Sequence, residues 1–194
     1  MGKKIEIYHY NINEISKDKL DLIHEFSIKV VSETYDRMKY DYNRRIETIE
    51  IGKIAEEIFA LYIKEKYMVD FNINYDIYPG VENGDGNDFI INGYSFDIKS
   101  SKDTKNEGIL NCLNYFNFPV PADQEIKDVT VSILYDFSVK NFYIVKGILK
   151  EEYQKNYQIR PLPVGNGIYR KYYLCKLNNG ESIDEIMNKV LNGR

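Results

Sequence analysis

The sequence predicts an α/β or α+β domain built on one mixed sheet. Two helical stripes fill its first third, short alternating or apolar runs dominate the middle, and a capped helix closes it. The expected element order is two helices, six strands and a last helix.

Over residues 19–40, Leu20, Ile23, Phe26, Ile28, Val30, Val31 and Tyr35 form an imperfect helical stripe. Over about 47–67, Ile51, Ile54, Ala55, Ile58, Leu61 and Tyr62 recur at i, i+3, i+4 spacing. The period then drops to two, so 71–78 reads as a strand stopped by Pro79-Gly80. Gly84-Asp85-Gly86-Asn87 reads as a loop. Residues 88–91 and 94–100 flank Asn92-Gly93, the strongest short hairpin signal. Residues 101–127 predict a loop with a short helix at most, because Pro119 and Pro121 interrupt a long one. Two apolar strands follow at 129–137 and 142–149, then a surface loop at 161–167 and a strand at 169–175. Ser182 and Glu185 fit a capping box for a final helix. Ile183, Ile186, Met187, Val190 and Leu191 are its buried stripe, and Gly193 ends it.

Composition narrows the function classes. Of 194 residues, 43% are hydrophobic and 29% charged, which excludes a disordered tail. Lys plus Arg number 26 against 30 Asp plus Glu, a net charge of −4 that argues against a uniformly basic nucleic-acid coat. Cys112 and Cys175 are far apart and only His9 and His24 join them, so a structural zinc site is not expected. The charged start does not read as a secretory signal and no apolar run nears the length of a membrane helix. The expected location is cytoplasmic, with no membrane partner.

The informative stretch is 88–99. A two-residue turn at Asn92-Gly93 pairs Ile91 with Tyr94, Ile90 with Ser95, Phe89 with Phe96 and Asp88 with Asp97. Lys99 lies two residues past Asp97 and shares its face. Asp88, Asp97 and Lys99 thus stand on one face, with Phe89, Ile91, Tyr94, Phe96 and Ile98 on the other. Opposed carboxylates repel, and a hard divalent cation, Mg²⁺ or Mn²⁺, would offset that cost. A nearby lysine could then activate a water or stabilise charge on a phosphate. The bland alternative is a solvated hairpin carrying an ordinary ion pair.

These residues resemble the PD-(D/E)xK nuclease superfamily, with its restriction-endonuclease-like fold. Its pattern has an acid starting one strand, (D/E)xK on the next and a Glu on a preceding helix. Here those are Asp88, Asp97-Ile98-Lys99 and Glu56, the last in Gly52-Lys53-Ile54-Ala55-Glu56, similar to the GxxAE helix motif of some branches. The resemblance covers about residues 50–150. It departs from the pattern where Asn87 replaces a Pro and where a crossover helix should follow the DxK strand. It implies catalytic Glu56, Asp88, Asp97 and Lys99, a metal set of Asp88, Asp97, Glu56 and Ile98, and Lys99 serving the attacking water. It also implies an α-β-β-β-α-β core, a restriction-endonuclease-like mixed central sheet flanked by helices. On that basis the chain divides into an N-terminal helical extension (1–45), a catalytic core (46–150) and a C-terminal extension (151–194).

Within that reading Asp85 competes with Asp88 but lies in the Gly-rich loop. Glu57 competes with Glu56, but Lys53, Glu57 and Lys64 read as a solvated helix edge, whereas Gly52 would let the helix approach the sheet beside Glu56. His24 and the cysteines read as structural. The local charges are uneven: residues 51–97 balance at −6 and 138–176 at +6, the latter interleaved with tyrosines. Ser101, Lys102, Arg160, Arg170 and Lys171 are the candidate nucleic-acid contacts. The expectation is a Mg²⁺- or Mn²⁺-dependent DNA endonuclease of restriction or phage type, for which a homodimer suits cutting both strands. The alternatives are a catalytically silent nuclease-like binding module, a junction resolvase or an RNA-processing nuclease.

Overall fold

A computed structural model describes residues 7–33, 41–77, 88–102, 117–165, 168–176 and 179–193. The fold is α+β. In chain order the elements are β1 (Tyr8–Asn11), a 3₁₀ turn (Ile12–Glu14), α1 (Lys17–Glu33), α2 (Tyr42–Tyr67), β2 (Phe89–Ile91), β3 (Tyr94–Lys102) and β4 (Asn117–Pro121). There follow β5 (Val129–Asp136), β6 (Asn141–Leu149), α3 (Lys150–Asn156), β7 (Ile159–Gly165), β8 (Ile168–Lys176) and α4 (Ile183–Asn192). A mixed five-stranded sheet runs β1-β6-β5-β3-β2 and a three-stranded antiparallel sheet runs β4-β8-β7.

The central strand β5 is buried along nearly its whole length, because both faces of the large sheet are covered. On one face, α2 contributes Ile51, Ile54, Ala55, Ile58, Phe59, Tyr62 and Ile63. Phe59 stacks on Phe89 at 5.5 Å and lies 6.1 Å from Phe96, ring centre to ring centre. On the other face Ile148 and Tyr153 pack with Val120 and Cys175 of the small sheet. α4 docks on β6 at Gly147, where an added Cβ would fall 2.3 Å from Ile186 Cδ1.

Several sequence expectations are corrected. Residues 71–77 carry no strand; their alternation instead buries one side against the core, with Phe71 stacked 4.4 Å from Phe89. α2 begins five residues before the expected start because Asp41 caps it, accepting from Arg44 N–H at 2.9 Å. Residues 117–121 and 159–165 are strands β4 and β7 despite their prolines. Each flanks β8 on one side only, and an edge strand can spare the missing N–H. Gly52 does not permit a close approach: a Cβ there meets nothing within 4 Å. β3 and β5 are parallel, and their connection includes β4. Residues 103–116, within the stretch after the DxK strand where the resemblance implies a crossover helix, and the loop 84–87 with Asp85 lie outside the described residues, as does Cys112. Among the described residues no helix is long and apolar enough to cross a membrane.

Candidate active site

The hairpin turn is built as its dipeptide demands. Asn92 and Gly93 both have positive φ, 48° and 82°, which matches the twist of the flanking strands. The register is Phe89↔Phe96, Ile90↔Ser95 and Ile91↔Tyr94. Phe89, Ile91, Phe96 and Ile98 are buried in the core. Asp88 therefore comes next to Asp97, and its N–H donates to the Phe96 carbonyl at 3.2 Å.

Each acid has its own counterpart. Asp88 Oδ2 accepts from the Ile98 N–H at 2.6 Å. Lys99 Nζ stands 2.9 Å from Asp97 Oδ1 on the same face. Glu56, 7% exposed, accepts from Lys53 Nζ at 2.6 Å. Because Ile98 buries its side chain, only its main chain faces the acids.

Electrostatics tie the three carboxyls together. Burial and the Asp88 charge push Glu56 up to about 8 against the pull of Lys53. Burial and the Asp97 charge push Asp88 up to about 6, opposed by the Ile98 N–H, Lys99 and Lys53. Glu56 thus feels the charge of Asp88, and Asp88 that of Asp97. Among the described residues no three His, Cys, Asp or Glu side chains already converge around one point able to hold a metal.

Lys53 is the residue that sequence reasoning missed. It is not on a solvated edge: its side chain is 13% exposed and also donates to the Asn74 carbonyl at 2.8 Å. Its place three residues before Glu56, one helical turn, was the available signal. Glu57 is likewise covered, accepting from Tyr75 Oη at 2.7 Å and pairing with Lys19 at 3.1 Å. Lys64 does match the solvated reading, paired with Asp70 at 62% exposure. Thr130, beside Asp97 in the β3–β5 register, and Tyr153 of α3 have buried hydroxyls that make no well-formed hydrogen bond among the described residues.

The candidate nucleic-acid residues do not form one patch. Ser101 alternates onto the Asp97 and Lys99 face. Lys102 alternates to the opposite face, pairs with Glu47 of α2 at 2.5 Å and lies 5.7 Å from the Phe137 ring centre. Arg170 is held by Asp123, with both carboxylate oxygens 3.0 Å from its Nε. In the small sheet Arg160 pairs with Tyr172 and Leu162 with Arg170, so Arg160 and Arg170 share a face and Lys171 takes the other. His24 pairs with Glu50 at 2.5 Å, and burial pushes the Cys175 thiol up to about 12. No protein-family model matches the chain, and no curated protein or solved structure matches it either.

Proposed function

We propose that this chain is a Mg²⁺- or Mn²⁺-dependent nuclease with a restriction-endonuclease-like fold that hydrolyses DNA phosphodiester bonds. The observation that carries the reading is the register that sets Asp88 beside Asp97, with Lys99 on the same face. Three hard carboxylate donors with one another's charge to offset suit a small divalent ion. Asp88, Asp97 and Glu56 would hold it, with the Ile98 main chain beside them. The ion, when bound, supplies Lewis-acid stabilisation of the charge that builds on the phosphate. Lys99, released from Asp97, donates to the attacking water and positions it against phosphorus.

Purified protein is incubated with supercoiled plasmid in Mg²⁺ or Mn²⁺. Nicking or linearisation is expected, falling by roughly two orders of magnitude or more in Asp97→Ala and in Lys99→Ala. Activity unchanged in both variants overturns the assignment. The pairing of Glu56 with Lys53 and of Asp97 with Lys99 favours a second reading, a silent module whose acids are neutralised internally. Calorimetry with Mn²⁺ separates the two, since the silent module takes up none.

A further inference from the structure

Resting on the reading that Glu56, Asp88 and Asp97 receive a divalent cation, we propose that Lys53 is a built-in counter-cation that holds Glu56 until the divalent ion displaces it. Lysine is rarely buried without a partner that requires it there. Here the ammonium sits 2.6 Å from Glu56 Oε2 and 2.8 Å from the Asn74 carbonyl. It also lies 5.4 Å from the Phe26 ring centre and 5.5 Å from that of Tyr75. α1 and the segment before the hairpin thus build a seat for this charge, although the Tyr75 ring is shared with Lys19, also 5.5 Å from its centre.

The seat is divided in a telling way. The Asn74 carbonyl and the two aromatic faces remain when Glu56 turns away, so Lys53 can let go of its carboxylate and still keep partners. A purely structural salt bridge would lose its compensation at that step. Charge arithmetic points the same way. With Glu56 ionised, as a ligand must be, the three carboxylates and Lys53 and Lys99 sum to −1, and a divalent ion added without displacement would leave the group net positive. Releasing Glu56 from Lys53 frees the ligand and moves a positive charge off the incoming one. Lys53 is therefore a positioning residue, acting through Glu56.

The full-length chain is titrated with Mn²⁺ by calorimetry as wild type, Lys53→Met and Lys53→Arg. Lys53→Met is expected to bind about tenfold more tightly than wild type, and Lys53→Arg within about twofold of it. Equal or weaker binding by Lys53→Met overturns the role of Lys53 alone. Mn²⁺ uptake by none of the three overturns the metal-site reading and this proposal with it. A measurement on wild type does not depend on the variants folding. With lysines labelled at the ε carbon, Mg²⁺ should shift the Lys53 signal in step with saturation of the site. A Lys53 signal that stays put at saturating Mg²⁺ overturns the displacement.

Discussion

Two buried-side acids lean on the same helix and meet opposite fates. Asp184, in the first turn of α4, accepts from Tyr8, Tyr62 and Tyr67 hydroxyls at 2.8, 2.9 and 2.6 Å, and from Lys66 at 2.6 and 2.7 Å. Burial pushes its carboxyl up, but those hydrogen bonds prevail and hold it down at about 2. Glu56, two to three turns earlier on α2, has one lysine and faces Asp88, and it is pushed up to about 8. The difference is in depth and in neighbours together: the Asp184 side chain is 29% exposed and ringed by donors, whereas that of Glu56 is 10% exposed and burial is the main push on it. An acid ringed by donors ties β1, α2 and α4 together. An acid set against other acids does little for the fold, which is why the second group, not the first, reads as the place for a cation.

The largest effect that tests this contrast is on Asp184. Asp184→Asn should cost about 2–3 kcal/mol in urea unfolding, because it replaces a charged acceptor of four donors with a weaker one. Glu56→Gln in metal-free protein at pH 8 should cost nothing or stabilise, since it removes charge repulsion while Gln keeps an oxygen for Lys53. Equal losses in both variants would remove the distinction.

The pH dependence sharpens it, with opposite signs. Glu56 has a folded value near 8 above its ordinary 4.5, so the native state binds the extra proton between them. Its contribution is complete below about 4.5 and is lost as pH rises through 8, roughly a few kcal/mol at 1.4 kcal/mol per unit. Asp184 is depressed from 3.8 to about 2, so its contribution is present above about 4 and lost as pH falls through 2. Melting in EDTA across pH 2–9 should therefore show a decline at each end. Glu56→Gln should flatten the alkaline one and Asp184→Asn the acid one. Mg²⁺ should relieve only the alkaline decline.

Gly147 ties the Asp184 region to the sheet. Gly147→Ala puts a Cβ against Ile186 on the helix that carries Asp184. A cost of about 1–3 kcal/mol is expected from overpacking, read by thermal melting, with the Mn²⁺ affinity of the acidic group unchanged. A parallel loss of Mn²⁺ binding would show that the two regions are one unit.

What the sequence made legible follows from how locally each feature is determined. The hairpin register was readable because Asn92-Gly93 both accept positive φ, and a two-residue loop leaves one pairing. Asp88, Asp97 and Lys99 came with it. The capped last helix was readable from Ser182 and Glu185, whose reciprocal bonds are present. β4 and β7 were hidden because Pro119, Pro121, Pro161 and Pro163 signal breaks, and only the sheet order shows them to be edges. Residues 71–77 misled for the converse reason: Phe71, Ile73 and Tyr75 alternate because they lie on the core, with no neighbouring ladder. Lys53 was misread because its cover, Phe26 and Tyr75, comes from two other segments that no helical periodicity reports.

The smallest effect concerns the face of the sheet that carries Asp97. Tyr153 is fully buried, and its hydroxyl, set beside Thr130 and the Cys175 thiol, makes no well-formed hydrogen bond among the described residues. Tyr153→Phe keeps the ring, which packs against Tyr157 and Tyr173, and removes only the hydroxyl oxygen. A buried hydroxyl with only poorly formed contacts forfeits its hydration for little in return, so the change in unfolding free energy should lie within about 1 kcal/mol and favour the variant. A loss of about 2 kcal/mol or more would instead mean that Tyr153 bonds Thr130, directly or through a buried water, and that the surroundings of Asp97 are as fully bonded as those of Asp184.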